Sequence, residues 1–279
     1  FRYTLNPYGR TLTADEFLDL VESSVGVIAG TESLGANVLE KIPRVKAISR
    51  CGTGLDNVDL EAARRLSISV SYTPDSATDA VAELAVGLIL ALLRKIPLAN
   101  ARLKAGRWEK MMGSLLGGKK AGILGFGRVG AKVGKLLDAF AVEVAFHDIE
   151  ARSSDFARAM TLPELLSGSD ILSIHASKNS SPGYLLGRKE LAAMKRGAWV
   201  INCARGGLID EEALREALES GRIAGAALDV FEREPYSGPL CELDQVILTP
   251  HIGSYALEAR IHMELDAVRN LLRSLEGRL

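Results

Sequence analysis

Short apolar runs rich in β-branched residues alternate along this chain with segments of helical spacing, and this alternation constrains the fold more than any other feature. Such alternation is typical of parallel sheets whose faces are covered by helices. The first quarter of the chain predicts strands over 25–29, 45–49 and 68–72, with helices over 14–22, 36–41 and 60–66. A second series predicts strands over 121–124, 142–147, 171–175, 199–203, 226–230 and 246–249. Six such strands predict a doubly wound parallel sheet, and the first three predict a smaller α/β unit.

A long helix is predicted between the two series, over 78–105, with Pro97 kinking or splitting it. Apolar residues at helical spacing mark one face of this helix: Val81, Leu84, Ala85, Leu88 and Leu92. This face predicts a buried packing helix, and a dimer contact is the alternative. A last helix is predicted over 256–275 and is expected to return to the first unit.

Composition and charge argue against several classes of protein. A formal net charge of -1 over 279 residues gives no basic surface for nucleic acid. The longest apolar run, over 85–93, is far too short to span a bilayer, and we recognise no signal peptide. The three cysteines are widely spaced and form no metal-ligand pattern. We therefore expect a cytoplasmic protein with no metal, no nucleic-acid partner and no membrane.

A dinucleotide fingerprint, G-x-G-x-x-G, is formed by Gly125, Gly127 and Gly130. Alone it is a weak signal, because glycine is abundant here and a glycine-rich turn is the alternative. Its context is favourable, since it follows a predicted strand and opens a predicted helix whose N–H groups can approach a pyrophosphate. Asp148 follows Gly130 by 18 residues, close to the ~20 expected for an acid that binds the adenosine ribose. A carboxylate there would repel the 2′-phosphate of NADP, so NAD is predicted, although Arg152 nearby weakens the preference.

Polar residues collect where the predicted strands end, which is where open α/β sheets bind ligands. Arg205, Glu234 and His251 follow three of these strands, and we predict that they converge on one crevice. A histidine can give and reclaim a proton near neutrality, and a carboxylate partner would orient its ring and favour its charged form. An arginine can hold a substrate carboxylate in a fork and polarise the neighbouring carbonyl.

This trio predicts hydride transfer between NAD and a small 2-hydroxy acid or its 2-keto partner, because the cofactor performs the redox step and the protein supplies proton and anchor. Each residue also has a structural interpretation: a solvated turn, a surface loop and a satisfied histidine. Their shared position beside a nucleotide fingerprint favours the catalytic one.

Four segments resemble the D-isomer-specific 2-hydroxyacid dehydrogenases, closest to the phosphoglycerate dehydrogenase branch: NCARGGLID (202–210), GAALDVF (225–231), EP (234–235) and TPHIGS (249–254). Residues 50–59 and 81–83 also resemble the family, so the resemblance covers nearly the whole chain. It implies a Rossmann-type NAD-binding domain over 76–253 and a smaller flavodoxin-like substrate-binding (lid) domain over 1–75 and 254–279. It also implies that His251 is the acid/base, Glu234 its partner and Arg205 the substrate anchor.

The resemblance further implies ligand contacts and an assembly. Besides the fingerprint glycines, the implied cofactor contacts are Arg128, Val129, Asp148, His175, Cys203, Ala204, Arg205, Asp229 and Gly253. The implied substrate contacts are Arg50 and the backbone of Gly52, Thr53 and Gly54. Family members are usually homodimers through the NAD-binding domain, so we expect a homodimer.

Three departures from the family are visible. His175 is followed by Ala-Ser-Lys-Asn-Ser-Ser in place of a Pro-Leu pair, which predicts an adenine pocket of different shape. The turn over 29–31 lacks the arginine of phosphoglycerate-specific members, although Arg50 remains, and this argues against a phosphorylated substrate. The chain is also expected to lack part of the first strand–helix unit and a C-terminal regulatory domain. Two other functions stay open: an NAD-sensing corepressor on the same scaffold, and a phosphite-type oxidoreductase.

Overall fold

The computed structural model describes residues 2–177 and 183–277 and divides into two compact units. One unit combines Phe1–Ala77 with Ser254–Leu279, and the other is Thr78–Gly253. Each has its own sheet and its own apolar core.

The smaller unit is built on a sheet of three parallel strands, as far as the described residues show, in the order β1-β2-β3. In chain order its first elements are α1 (Ala14–Val21), β1 (Gly26–Ala29), α2 (Ala36–Leu39), β2 (Ala47–Arg50), α3 (Leu60–Arg65) and β3 (Ser69–Tyr72). Thr13 and Asp59 cap α1 and α3 by accepting hydrogen bonds from backbone N–H groups of the first turn. The predicted strands and helices of this region are therefore confirmed to within about two residues.

The larger unit is built on seven parallel strands among the described residues, in the order β10-β9-β8-β7-β4-β5-β6. Its helices are α4 (Thr78–Leu93), α5 (Ile96–Lys104), α6 (Arg128–Asp138), α7 (Leu162–Gly168), α8 (Arg188–Ala193) and α9 (Glu211–Glu219). Its strands are β4 (Lys120–Leu124), β5 (Glu143–His147), β6 (Ala157–Ala159), β7 (Ile171–Ile174), β8 (Ala198–Asn202), β9 (Ile223–Leu228) and β10 (Val246–Leu248). The prediction of six strands was wrong by one, because the edge strand β6 is too short to show an alternating pattern.

Helices cover both faces of this larger sheet. α4 and α6 pack on one face, while α7, α8 and α9 enclose a second core on the other. The strand order reverses between β4 and β7, since the chain runs outward from β4 to β6 and then returns to the other side of β4. The predicted doubly wound, Rossmann-type fold is thus confirmed, and the reversal marks where such sheets bind ligands.

The long helix predicted over 78–105 is split into α4 and α5. Lys95 breaks it with a positive φ of 54°, and Pro97 lies in the first turn of α5, where its missing N–H costs no hydrogen bond. Ala85, Leu88 and Leu92 are buried, so the apolar face of α4 packs inside the larger unit as predicted.

The last helix, α10 (Leu257–Leu275), returns to the smaller unit and packs on β1, β2 and β3. Ala259, Met263 and Ala267 form its buried face, and the Asn270 side chain donates to the Tyr72 carbonyl at 3.0 Å. This packing confirms the predicted return of the chain.

Candidate active site

The fingerprint loop begins at the carboxyl end of β4, beside the point where the strand order reverses. Gly125 has a φ of 91°, and a Cβ there would lie 2.5 Å from the Ala176 nitrogen. Only glycine adopts this backbone conformation at no cost and leaves room for the chain that follows β7. The sequence therefore brings the loops after β4 and β7 into direct contact.

The other two fingerprint glycines have different surroundings. A Cβ on Gly130 would lie 2.0 Å from the Gly125 carbonyl oxygen, so the first turn of α6 is packed directly against the loop. No atom lies within 4 Å of the position of a Cβ on Gly127. Open space thus faces the N-terminus of α6, which is suited to the pyrophosphate of a dinucleotide. Arg128 and Val129 begin the helix, with Arg128 exposed.

Asp148 lies just beyond β5 and connects two loops. Its Oδ2 accepts a hydrogen bond from the Phe126 N–H at 2.6 Å, and its Oδ1 accepts from the Glu150 N–H at 2.9 Å. A carboxylate held beside the fingerprint loop fits a ribose with free hydroxyls better than one that carries a phosphate. The nearby Arg152 forms an ion pair with Glu150.

His175 is half-buried just after β7, with its Nε2 2.8 Å from the Ser173 Oγ. Burial lowers the pKa of His175 to about 4, so the ring is neutral near pH 7. Its Nδ1 is buried and has no hydrogen-bond partner among the described residues, which costs about 1–3 kcal/mol if nothing else binds there. The predicted change of the adenine pocket falls partly on residues 178–181, which lie outside the described residues.

His251 and Glu234 form a hydrogen-bonded pair in the larger unit. The His251 Nδ1 is 2.8 Å from the Glu234 Oε2, while the Glu234 Oε1 accepts from the Phe231 N–H at 3.1 Å. The two side chains are 51% and 38% exposed, so the far side of the imidazole is open to a ligand. The structure thus brings together two of the three residues expected to converge, whereas the meeting of Arg205 with them and the catalytic roles of all three stay predictions.

Asp229 holds the backbone on either side of this histidine. Its carboxylate accepts from the Thr249 hydroxyl at 2.6 Å and from the N–H groups of Ile252 and Gly253, both at 2.8 Å. Asp229 is 1% exposed, so these hydrogen bonds are shielded from water. They stabilise the segment in which His251 has a φ of 54°, an uncommon conformation for a residue with a side chain.

Arg205 follows β8, whose neighbour β9 leads to Asp229 and Glu234. Its guanidinium donates to the Ala204 carbonyl at 2.7 Å. The Asn202 side chain shapes this turn, since it accepts from the Ala204 N–H and donates to the Arg205 carbonyl, both at 3.0 Å. Sequence reasoning missed this role of Asn202, although asparagine often forms such turns.

Cys203 lies in the same turn and is buried. Burial raises the pKa of the Cys203 thiol, so the side chain stays uncharged at neutral pH. It therefore behaves as a small apolar residue beside Ala204, which is also buried.

In the smaller unit, Arg50 and the loop after it lie at the carboxyl end of β2. The Arg50 guanidinium covers Gly52, since a Cβ on that glycine would lie 1.0 Å from the Arg50 Nη1. The buried Thr73 hydroxyl accepts from the Gly52 N–H at 2.9 Å, a contact that sequence reasoning missed. Thr53 and Gly54 continue the loop and are half-buried. Their implied contact with a substrate stays a prediction.

Two kinds of feature are absent from the described parts of the chain. Over residues 2–177 and 183–277, no group of three or more His, Cys, Asp or Glu residues is placed to hold a metal ion. Across the same ranges, every helix is too short or too polar to cross a membrane.

Comparison with known proteins identifies the family. The family described as "D-isomer specific 2-hydroxyacid dehydrogenase, NAD binding domain" matches residues 86–253. A glyoxylate reductase of Thermofilum pendens is 41% identical over 265 residues, covering 89% of this chain and 77% of that protein. A D-3-phosphoglycerate dehydrogenase of Methanocaldococcus jannaschii is 39% identical over 96% of this chain, which spans only 53% of that relative.

A solved structure agrees with these sequence matches. The crystal structure of a Thermus thermophilus protein superposes with a TM-score of 0.92 at 39% identity, covering 97% of this chain and 89% of that one. The predicted family, NAD as the cofactor and an NAD-dependent dehydrogenase as the kind of enzyme are confirmed. The chain belongs to the D-isomer specific 2-hydroxyacid dehydrogenases and carries their NAD-binding domain.

Proposed function

We propose that this chain interconverts a small, unphosphorylated 2-keto acid and its D-2-hydroxy acid, with His251 as the acid/base. The observation that carries the proposal is the 2.8 Å contact between the His251 Nδ1 and the Glu234 Oε2. An ionised carboxylate can only accept, so the Nδ1 holds a proton and the Nε2 is left to exchange one with substrate. The exposed side of the ring supports this role.

In the direction of reduction, the protonated Nε2 of His251 gives its proton to the carbonyl oxygen of the keto acid. When bound, NADH supplies the hydride that reduces the carbon. The Glu234 carboxylate, in contact with the Nδ1, stabilises the positive ring before the transfer. In the reverse direction, the neutral Nε2 takes the hydroxyl proton back.

Arg205 is the proposed anchor for the substrate carboxylate. Its guanidinium is half-buried, and the turn that carries it is held by the Asn202 side chain on both sides. A planar guanidinium on a fixed turn can bind a carboxylate through two parallel hydrogen bonds. This would fix which face of the keto acid is reduced.

The residues proposed to hold NAD are those that shape the open space at the start of α6. Gly125, Gly127 and Gly130 form the cradle for the pyrophosphate, and Asp148 is the proposed ribose acceptor. His175, Cys203, Ala204, Asp229 and Gly253 remain proposed contacts for the rest of the cofactor. We further propose the smaller unit as the substrate-binding (lid) domain.

An acidic residue in the smaller unit supports an unphosphorylated substrate. β1 ends beside β2, with Ala29 paired to Arg50, so the turns that follow the two strands are neighbours. Glu32 lies in the first turn, and its Oε2 accepts from the Gly30 N–H at 2.7 Å. A fixed carboxylate replaces the positive charge that a substrate phosphate would require there. This argues against a phosphoglycerate dehydrogenase-like substrate and favours glyoxylate or hydroxypyruvate.

The test is a steady-state comparison of two keto acids that differ by one phosphate. We expect kcat/KM for hydroxypyruvate to exceed that for 3-phosphohydroxypyruvate by at least about tenfold, since like charges are costly to bring together. Glu32→Gln should reduce the ratio of the two kcat/KM values, whereas the exposed control Glu22→Gln should leave this ratio unchanged. Glyoxylate, pyruvate and 2-ketoglutarate complete the panel. Preference for the phosphorylated acid would contradict the proposed substrate, and no turnover on any keto acid would contradict the function.

A homodimer is also proposed, through an apolar surface of the larger unit that we call the 96–115 arm. Five of its large apolar side chains are more than half exposed: Ile96, Leu103, Trp108, Met112 and Leu115. Trp108 and Met112 are 82% and 88% exposed, which is unusual for such residues on a free surface. A second copy of the chain would bury them, and α4 is not required for the contact because its apolar face is already buried.

The double variant Trp108→Asp and Met112→Asp is expected to separate the dimer. Each apolar side chain contributes about 1.5–3 kcal/mol when fully buried, so replacing both with charges should weaken association more than about 100-fold. Sedimentation velocity over a range of concentrations measures this. Tyr3→Asp is the matched control, since Tyr3 is 84% exposed and lies outside the arm. A wild-type chain that stays monomeric at all concentrations would refute the proposed dimer.

A further inference from the structure

We propose that Gly206 is a positioning residue for the His251–Glu234 pair, acting through the backbone of Phe231. The inference rests on the proposed function, because it concerns the residues assigned there to proton transfer. It adds a residue that contacts neither the imidazole nor the carboxylate.

The space around Gly206 excludes any side chain. A Cβ at this position would lie 1.8 Å from the Phe231 carbonyl oxygen, 2.3 Å from its carbonyl carbon and 3.0 Å from the Glu232 nitrogen. All three are backbone atoms, so no change of rotamer can relieve the overlap. The requirement is for space and not for backbone conformation, because only the next residue, Gly207, has a positive φ, of 74°.

The segment on the other side of this contact is itself fixed. The Phe231 ring is stacked on Tyr236, with 4.4 Å between the ring centroids, and is almost fully buried. The Glu232 N–H donates to the Glu211 Oε1 at 2.7 Å. A methyl group at position 206 would therefore have to displace either this held segment or the turn that carries Arg205.

Displacement of Phe231 would reach the histidine through two hydrogen bonds. The Phe231 N–H holds one oxygen of Glu234 at 3.1 Å, and the other oxygen of Glu234 holds the His251 Nδ1 at 2.8 Å. The turn of Arg205 and the backbone of Phe231 thus meet at Gly206, and the absence of a side chain there sets their separation. A shift of about 1 Å in such a group can lower the rate about 100-fold.

The test compares Gly206→Ala with Gly168→Ala, since no atom lies within 4 Å of a Cβ on Gly168. We expect the downfield Nδ1–H proton resonance of His251 to shift or disappear in Gly206→Ala and to stay in Gly168→Ala. We expect kcat to fall about 100-fold in Gly206→Ala, with a smaller change in the Kd for NADH. Glu234→Ala serves as the reference for a broken pair, because it leaves no side-chain acceptor for the His251 Nδ1.

A double-mutant cycle separates this role from general damage to the fold. If Gly206 acts through Glu234, adding Gly206→Ala to Glu234→Ala should change kcat little, because the link is already broken. An equal loss of kcat in both backgrounds, or a wild-type His251 resonance in folded Gly206→Ala, would overturn the proposal. The resonance needs no turnover, so it decides the positioning role even if no keto acid is reduced.

A second variant covers the case in which Gly206→Ala does not fold. Tyr236→Leu removes the ring stacked on Phe231 and introduces no overlap at position 206. The proposal expects faster solvent exchange of the His251 Nδ1–H in this variant, since Phe231 is held less firmly. Exchange at the wild-type rate would count against Phe231 as the connecting residue.

Discussion

His251→Ala is expected to lower kcat by about 10²- to 10⁴-fold, the usual contribution of a general acid or base. The imidazole is the proposed proton donor to the nascent alkoxide, and alanine leaves no group at position 251 that can give this proton. The residues proposed to bind NAD are untouched, so the Kd for NADH should change little. Steady-state kinetics with the best keto acid and a fluorescence titration with NADH measure the two effects.

The control for this variant is His262→Ala. It makes the same substitution at a different histidine, which is exposed on α10. It should retain wild-type kcat. Wild-type turnover in purified His251→Ala would show that another group transfers the proton, and the proposed mechanism would then be abandoned.

Gly130→Ala is expected to abolish tight NAD binding and to lower the thermal stability. Its Cβ would stand 2.0 Å from the Gly125 carbonyl oxygen, so α6 and the fingerprint loop would have to separate. Such overpacking costs about 1–3 kcal/mol, and the displaced loop should raise the Kd for NADH at least about tenfold. Isothermal titration and thermal unfolding report the two changes.

Gly134→Ala, one turn further along α6, is the matched control. A Cβ there would meet side-chain atoms of Phe156 and Val144 at 3.2 and 3.3 Å, and these can yield by a few tenths of an ångström. NADH binding should therefore survive. A folded Gly130→Ala chain that binds NADH as the wild type does would show that the loop is not the cofactor cradle.

The sequence predicted most of the strands because they are short apolar runs, and it predicted the longest helices because their apolar residues recur at helical spacing. It missed β6, whose three residues lie at the edge of the sheet and are largely exposed. It also left open whether Pro97 bends or divides its helix, because the break depends on the left-handed conformation of Lys95. The pattern of residue types does not predict that a lysine adopts a positive φ.

The sequence predicted the candidate catalytic residues but not the contacts that hold them in place. His251, Glu234 and Arg205 stand out because all three follow strands of the sheet that also carries the nucleotide fingerprint. The Phe231 N–H that holds Glu234 has no sequence signal, since every residue except proline offers the same donor. The lack of space for a side chain at Gly206 has no sequence signal either. Glycine is common, and Phe231, which it contacts, is 25 residues away in the chain.

The three hydrogen bonds that end on Asp229 have a consequence for how this enzyme can diverge. Its donors are Thr249, Ile252 and Gly253, the last residue of the larger unit, so the histidine is tied to the strands that also bear the fingerprint. Sequence drift in the smaller unit leaves those bonds intact. With the smaller unit as the proposed substrate-binding domain and His251 as the proposed acid/base, mutations in the smaller unit would change the substrate preference and leave proton transfer unchanged.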